Sequence, residues 1–304
     1  MRQPDFLKPG DRIGIIAPAR KVSAEELSPG LEILRGWGYE CVEGKNLYGD
    51  HHQFSGTDEE RAADFQEMMN DNSIRAIIAA RGGYGCLRIV DMLDFSPLKK
   101  DAKWFCGFSD MTVIHSYIHR NLDLQSIHSI MVFNMMPERF QKDAVETFGK
   151  ALSGVALNYE YVASDEHRSY QRNGEAKGIV IGGNLSLIYA LSESNCDVDT
   201  KGKILLLEDL DEYLYHIDRM MLQLKRSGKL AHLAGLAVGG MTDMKDNTVP
   251  FGKNAIQIIA EAVAEYNYPV CYGFPMGHQP DNRAIYMGRE GVLSVGEKVN
   301  LHYI

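Results

Sequence analysis

In the first part of the chain, short apolar runs alternate with amphipathic stretches of helical period. The runs predict strands at residues 12–18, 39–42, 76–80 and 104–107, and the amphipathic stretches predict helices at 24–36 and 58–69. Strands that alternate with helices are typical of a mostly parallel sheet covered on both faces. The pattern therefore predicts a doubly wound α/β domain at the N-terminal end.

The apolar periodicity weakens between residues 137 and 174, where polar and charged side chains dominate. It returns with strands predicted at 176–181, 203–207, 233–238 and 269–272, helices at 184–191, 215–227 and 253–266, and short strands in the tail. We therefore expect a first α/β domain over residues 1–140 and a linker or crossing segment over 141–174. A C-terminal α/β domain rich in short strands is expected over 175–304.

The end of the strand at 104–107 carries a serine in a tight turn. Gly107 and Phe108 precede Ser109, and a helical pattern follows from Met111. A serine between a strand and a helix is how several folds present a nucleophile, and the backbone N–H of Asp110 would then face the reacting oxyanion. The alternative is that Ser109 or Asp110 only caps the helix. Met111 stands where the α/β-hydrolase elbow has its second glycine, so that fold is not indicated.

A glycine-rich turn follows the strand at 76–80. Arg81, Gly82, Gly83, Tyr84 and Gly85 match neither a Walker loop nor a dinucleotide-binding fingerprint, so nucleotide binding has little support. A plain tight turn is one interpretation. The functional one is that the Gly83 N–H belongs to an oxyanion hole together with that of Asp110, because both turns follow parallel strands at the same sheet edge.

An acidic run and a histidine loop supply the remaining candidates in the second half. Glu208 directly follows the apolar run 205–207, so we expect its carboxylate to be partly buried and fixed, as an orienting acid must be. The acidic residues after it, Asp209, Asp211 and Glu212, are expected to be solvated. His278 follows Gly277 in a loop beyond a strand. Histidines in such loops are often exposed and without a catalytic role, but His278 is a candidate general base.

The overall composition excludes some classes of function. A net charge of −9 disfavours a nucleic-acid partner, and no apolar run approaches the length of a membrane span. We therefore expect a cytoplasmic protein. The five cysteines include no C-x-x-C pair, and His115 with His119 lacks a third obvious ligand, so we expect no metal and no cofactor. Cys106 is expected to be a buried thiol.

Taken together, these segments resemble the LD-carboxypeptidases, which are muramoyltetrapeptide carboxypeptidases. The resemblance runs nearly end to end and rests on the opening strand at 15–19, the turn at 80–85, the segment 107–112, the glycines before Asn184, the acidic strand at 206–212 and the loop at 273–278. Relatives often carry a proline before Gly288, where this chain has Met287. That departure concerns pocket shape.

The resemblance implies a serine peptidase with Ser109 as nucleophile, His278 as base and Glu208 as the acid that orients it. The N–H groups of Gly83 and Asp110 would form the oxyanion hole. It implies hydrolysis of a murein tetrapeptide before its terminal D-alanine, during cell-wall recycling.

Further expectations concern the substrate, the assembly and the alternatives. Gly82, Tyr84 and Asn184 are candidate substrate-binding residues, and we expect a homodimer. The alternatives are a self-immunity peptidase of the microcin C type and a non-catalytic sensor of muropeptides.

Overall fold

The computed structural model describes residues 1–139 and 141–304. Its strands are β1 Arg12–Ile16, β2 Glu40–Glu43, β3 Ile74–Ala79, β4 Trp104–Gly107, β5 Ser126–His128, β6 Asn158–Tyr161, β7 Gly174–Asn184, β8 Ile204–Leu210, β9 Gly235–Thr242, β10 Val270–Tyr272, β11 Ile285–Met287, β12 Glu290–Val295 and β13 Val299–Tyr303. Its α-helices are α1 Ala24–Gly36, α2 Asp58–Asn70, α3 Cys86–Ile89, α4 Thr112–Leu122, α5 Lys142–Ser153, α6 Asp165–Tyr170, α7 Leu185–Ala190, α8 Leu214–Arg226 and α9 Ala255–Ala262.

The chain divides into two compact units. The first comprises Met1–Ala156 and Pro280–Tyr286, and its sheet has the order β11-β5-β4-β3-β1-β2. The pairs β1–β2, β1–β3, β3–β4 and β4–β5 are parallel. The strands β1, β3 and β4 are apolar and almost wholly buried, as expected of a sheet covered on both faces. The carboxyl ends of β3 and β4, where the two candidate turns begin, are therefore neighbours.

The second unit comprises Leu157–Gln279 and Met287–Ile304, and its sheet has the order β10-β9-β8-β7-β12-β13-β6. Strands β7 to β10 run parallel, whereas β7–β12, β12–β13 and β13–β6 are antiparallel. Strand β8 lies inside the parallel half, and its residues from Ile204 to Asp209 are buried. Both units thus mix helices with sheets, and the predicted α/β class is confirmed.

Local sequence signals explain where several helices begin. Ser23 and Glu26 form a capping box at the start of α1, and Thr57 and Glu60 form another at α2. Each box satisfies backbone N–H groups that the first helical turn leaves without partners. These helices therefore start where the polar pattern places them, against the parallel sheet of the first unit.

The segment 141–174, expected as a linker or crossing segment, contains α5, β6 and α6. Helix α5 buries Ala144, Val145, Phe148, Ala151 and Leu152, which lie on one face at helical spacing. The surrounding lysines and acidic residues lowered the average hydrophobicity and obscured this stripe. Within the described parts of the chain, no helix is long and apolar enough to span a membrane.

Candidate active site

Ser109 lies in a strained turn at the end of β4. Its φ of +59° is in the left-handed region, and it opens a 3-10 turn, Ser109–Met111, that leads into α4. Such a conformation costs a non-glycine residue ~1–3 kcal/mol and persists only where the surroundings impose it. Here the Gly107 carbonyl accepts hydrogen bonds from the Ser129 N–H at 3.2 Å and from His115 Nε2 at 2.9 Å. The strand end is therefore fixed, and Ser109, which is 9% exposed, is held in the kind of strand-to-helix turn in which several folds place a nucleophile.

The glycine turn after β3 approaches Ser109 closely. A β-carbon at Gly82 would lie 3.2 Å from Ser109 Cβ and 3.4 Å from its Oγ. Any side chain at this position would therefore crowd the hydroxyl. Gly83 follows with a φ of +117°, and Tyr84 is exposed beyond it. The structure thus brings Gly82 and Ser109 together within the first unit.

The Asp110 side chain links the two turns. Its Oδ2 accepts a hydrogen bond of 2.6 Å from the backbone N–H of Cys86, the first residue of α3. Asp110 is 1% exposed, and burial raises its pKa to about 6, against the lowering effect of the Cys86 donor. A carboxylate accepting from a helix N-terminus is favourably placed. The sequence suggested an oxyanion-hole role for the Asp110 backbone or a cap on the helix that follows it, so the contact of its side chain with the start of α3 was not predicted.

In the second unit, Glu208 and His278 form a buried acid–base pair. Glu208 Oε2 accepts from His278 Nδ1 at 2.6 Å and from the His278 backbone N–H at 3.1 Å, and Glu208 is 0% exposed. An Nδ1–H donated to a carboxylate leaves Nε2 as the basic nitrogen. Burial alone would lower the pKa of His278, but the charge and hydrogen bond of Glu208, with the charge of Asp209, raise it above its usual value.

Gly277 allows this pair to form. Its φ is +90°, and a β-carbon there would lie 2.5 Å from Glu208 Cβ and 2.6 Å from Oε2. Both the backbone conformation and the space exclude a side chain. The loop backbone can therefore lie directly over the carboxylate, which places the His278 N–H and ring within reach of the same oxygen.

The expectation that Asp209 is solvated was wrong. The register of β8 on β9 shifts between Leu207 and Asp209, as in a β-bulge, and both Glu208 and Asp209 are buried. Asp209 accepts from the N–H and hydroxyl of Ser186, from Asn184 Nδ2 and from the Leu210 N–H, at 2.8–2.9 Å. Burial, and then the charge of Glu208, raise the pKa of Asp209 to about 6. Bulges often re-aim side chains beside active sites.

Glu212 also has partners. Its Oε1 accepts from the Ser186 hydroxyl at 2.9 Å, and its Oε2 lies 2.5 Å from His216 Nδ1. Asn184, the candidate substrate-binding residue, caps α7 through its Oδ1 and donates to Asp209. Its position opposite Glu208 in the register of β7 on β8 keeps it beside the acid. These residues form a polar network behind Glu208 that connects β7, β8 and α7.

The other candidate groups of the first unit are structural in their contacts. His115 is buried, and burial lowers its pKa to about 4 while Nε2 donates to Gly107. His119 Nε2 lies 3.0 Å from the Ser126 hydroxyl. Burial raises the pKa of the Cys106 thiol far above its usual value, which opposes thiolate chemistry. Across residues 1–139 and 141–304, no group of three or more His, Cys, Asp and Glu side chains is arranged to hold a metal ion.

Comparison with known proteins identifies the family. The profile of the LD-carboxypeptidase N-terminal domain matches residues 13–129, and that of the LD-carboxypeptidase C-terminal domain matches residues 177–293. The chain belongs to the LD-carboxypeptidase family. It is 33% identical to a Bacillus subtilis protein named "Probable murein peptide carboxypeptidase", across 97% of this chain and 92% of that one.

Solved structures agree with this assignment. The muramoyltetrapeptide carboxypeptidase from Oxalobacter formigenes superposes with a TM-score of 0.84 and 27% identity, covering 96% of this chain and 98% of that one. The microcin C7 self immunity protein MccF superposes with a TM-score of 0.86 over 99% of this chain and 98% of its own, at 21% identity. The second likeness concerns the fold alone.

Sequence reasoning missed the burial and the contacts of two carboxylates beside the candidate catalytic residues of this LD-carboxypeptidase. They are the side chains of Asp110 and Asp209. A carboxylate next to an expected nucleophile, and a second one next to an expected orienting acid, were visible in the sequence. Their partners, Cys86 and Ser186, are distant along the chain, so only the folded structure reveals them.

Proposed function

We propose that this enzyme, a serine peptidase of the LD-carboxypeptidase family, hydrolyses murein tetrapeptides. The bond cleaved joins the L-centre of the third residue, meso-diaminopimelate or lysine, to the terminal D-alanine. The names of the Bacillus subtilis and Oxalobacter formigenes proteins support this substrate class. The observation that carries the proposal is the buried Glu208 carboxylate, which accepts hydrogen bonds from the ring Nδ1–H and from the backbone N–H of His278.

In the proposed mechanism, Ser109 Oγ attacks the carbonyl carbon while His278 Nε2 takes its proton. Glu208 stabilises the resulting imidazolium and fixes the tautomer. The backbone N–H groups of Gly83 and Asp110 stabilise the oxyanion. The proton then passes from His278 to the leaving nitrogen, D-alanine departs, and water hydrolyses the acyl-enzyme by the same route.

Several features of single residues support these roles. Ser109 is held in a strained turn between a strand and a helix, as nucleophilic serines of several folds are, and Gly82 leaves space beside its hydroxyl. Gly82, Tyr84 and Asn184 remain candidate substrate-binding residues, with Tyr84 the exposed one. We also propose a homodimer, to be tested by light scattering. We place the reaction in the cytoplasm, to be tested by fractionation.

Replacement of the nucleophile tests the proposal directly. Ser109→Ala should reduce D-alanine release from the tetrapeptide by at least ~10³-fold, the usual scale for loss of a triad member. The matched control is Ser153→Ala, on the exposed side of α5, which should leave turnover unchanged. Mass spectrometry with murein tri-, tetra- and pentapeptides measures release. Near-normal turnover in Ser109→Ala would remove the serine from the mechanism.

The same protein distinguishes the alternatives. A fluorophosphonate probe should label Ser109 in the active enzyme, whereas a non-catalytic muropeptide sensor would stay unlabelled. Cleavage of a peptidyl adenylate in preference to the tetrapeptide would instead indicate a self-immunity peptidase of the microcin C type. Labelling together with D-alanine release supports the proposed function.

A further inference from the structure

Three arginines surround the glycine turn beside Ser109. Arg81 is the residue before Gly82, and the stem of Arg20 lies across the next glycine. A β-carbon at Gly83 would meet Arg20 Cγ at 2.6 Å and Cδ at 2.7 Å, and the Arg20 N–H donates to the Gly82 carbonyl at 3.4 Å. Arg20 is exposed. The turn that approaches the nucleophile therefore carries one arginine, Arg81, and the side chain of a second, Arg20, packs against it.

A third guanidinium joins them through an aromatic ring. The Cζ of Arg81 lies 4.1 Å from the centroid of the Phe133 ring, and that of Arg139 lies 4.5 Å from the same centroid. Phe133 is buried in the 3-10 turn Val132–Met135 that follows β5, and the Cε of nearby Met131 lies 3.1 Å from a β-carbon built at Gly82. Stacking on a ring holds a guanidinium in place while leaving its N–H edge free to bind an anion.

The charge of this cluster is only partly balanced. Arg81 Nη1 lies 3.7 Å from Glu26 Oε1, but the other oxygen of Glu26 accepts from the Ser23 N–H in the capping box of α1. For the residues that the structure describes, no ion pair involves Arg20 or Arg139. Burial lowers the pKa of Arg81; the charge of Glu26 opposes this effect, and the charges of Arg20 and Arg139 add to it. Three cations thus share one carboxylate in a chain of net charge −9.

Like charges held together at a site favour an anionic ligand, and a planar guanidinium pairs with a carboxylate through two parallel hydrogen bonds. In the proposed reaction the scissile carbonyl of the third peptide residue lies at Ser109 Oγ. The terminal carboxylate belongs to the D-alanine that follows, and the Cα atoms of these two residues are ~3.8 Å apart. A β-carbon at Gly82 would lie 3.4 Å from Oγ, Arg81 directly precedes this glycine, and the Arg20 N–H donates to its carbonyl. A carboxylate one residue away from the carbonyl at Oγ would therefore lie close to the turn that these arginines flank.

We propose that Arg20, Arg81 and Arg139 form the site that binds the terminal carboxylate of the substrate peptide. The inference rests on the proposed function, and it supplies the selectivity of a carboxypeptidase over an endopeptidase. Other carboxylates of a murein peptide, on the second or third residue, are alternative ligands that the experiment separates.

The test compares a tetrapeptide carrying a free terminal carboxylate with the same peptide as its terminal amide. Wild-type enzyme should prefer the free acid. Arg20→Gln, Arg81→Gln and Arg139→Gln should each lower kcat/KM for the acid by ~10–100-fold, mainly through KM, and change that for the amide much less, because a charged hydrogen bond is lost. Arg81→Lys should recover part of the preference. Arg75→Gln, whose partners are Asp5 and Asp101, is the control.

Calorimetry on Ser109→Ala keeps this test independent of turnover. That variant should bind the free acid more tightly than the amide, and adding Arg81→Gln should abolish the difference. Peptides amidated at their other carboxylates should bind as the free acid does. Equal affinity for acid and amide, binding of neither peptide, or an unchanged preference in the arginine variants overturns the proposal. Absence of D-alanine release with a retained carboxylate preference overturns only the proposed function.

Discussion

Gly277→Ala should disable the Glu208–His278 pair and lower the stability of the fold by ~2–5 kcal/mol. The new β-carbon would overlap Glu208 Cβ, Cγ and Oε2 at 2.5–2.6 Å, so the carboxylate must move. Because Oε2 is the oxygen that accepts from His278 Nδ1, the displacement breaks or rotates the bond that orients the imidazole. A misplacement of about 1 Å in a catalytic group lowers the rate by ~10²-fold.

Two contributions to stability can be estimated separately. An alanine at a φ of +90° costs ~1–2 kcal/mol relative to glycine. Crowding a packed site adds ~1–3 kcal/mol. Gly252 provides the matched control because its φ is +87° and nothing lies within 4 Å of its β-carbon position. Gly252→Ala should therefore show the backbone cost alone, and the difference between the two variants isolates the contact with Glu208.

The assay combines urea unfolding with tetrapeptide turnover. Gly252→Ala should lose stability but keep its kcat, whereas Gly277→Ala should lose ~1–3 kcal/mol more and ~10²-fold in kcat. Turnover is measured far below the unfolding midpoint of each variant, so that both are fully folded. If Gly277→Ala turned over substrate as fast as Gly252→Ala, the packing of Gly277 on Glu208 would have no catalytic consequence.

Two further predictions concern the electrostatics of the pair. Because Glu208 raises the pKa of His278, the base is protonated and inactive in acid, and kcat/KM should rise with pH through a midpoint above ~6.5. In Glu208→Gln the residual activity should show a lower midpoint, because the charge of Asp209 then remains as the only opposition to the effect of burial that the shift includes. Glu208→Gln should also lower kcat by ~10²–10⁴-fold, whereas Glu212→Gln, which alters a contact with His216, should change it little. A larger loss in Glu212→Gln would move the role of the acid to that residue.

The class of fold was predictable because the central parallel strands β1, β3, β4 and β8 consist largely of apolar runs. In β8, the adjacency of Glu208 to residues 205–207 indicated a buried carboxylate, and the structure buries it. Asp209 was not predictable in the same way. A regular strand directs consecutive side chains to opposite faces, and the irregular register on β9 is set by tertiary pairing that leaves no local signal.

The same limit applies to the arginine cluster and to α5. Phe133 and Arg139 lie near the stretch where the apolar pattern weakens, and their relation to Arg81 depends on the pairing of β4 with β5. In α5 the apolar stripe includes two alanines, which contribute little to a hydropathy average. Local patterns thus predict elements, whereas side chains that meet from distant segments require the folded chain.

The strand β11 has a consequence for the order in which the chain folds during synthesis. The first unit uses Pro280–Tyr286, which the ribosome adds only after the whole of residues 157–279. Until then the outer edge of β5 has no neighbouring strand, and Trp104 lacks the Tyr286 ring that packs 5.7 Å from it. Unpaired strand edges invite association with other chains. During synthesis the N-terminal part of the chain therefore stays incomplete, with an edge open to aggregation, until Pro280–Tyr286 is made near the end of translation.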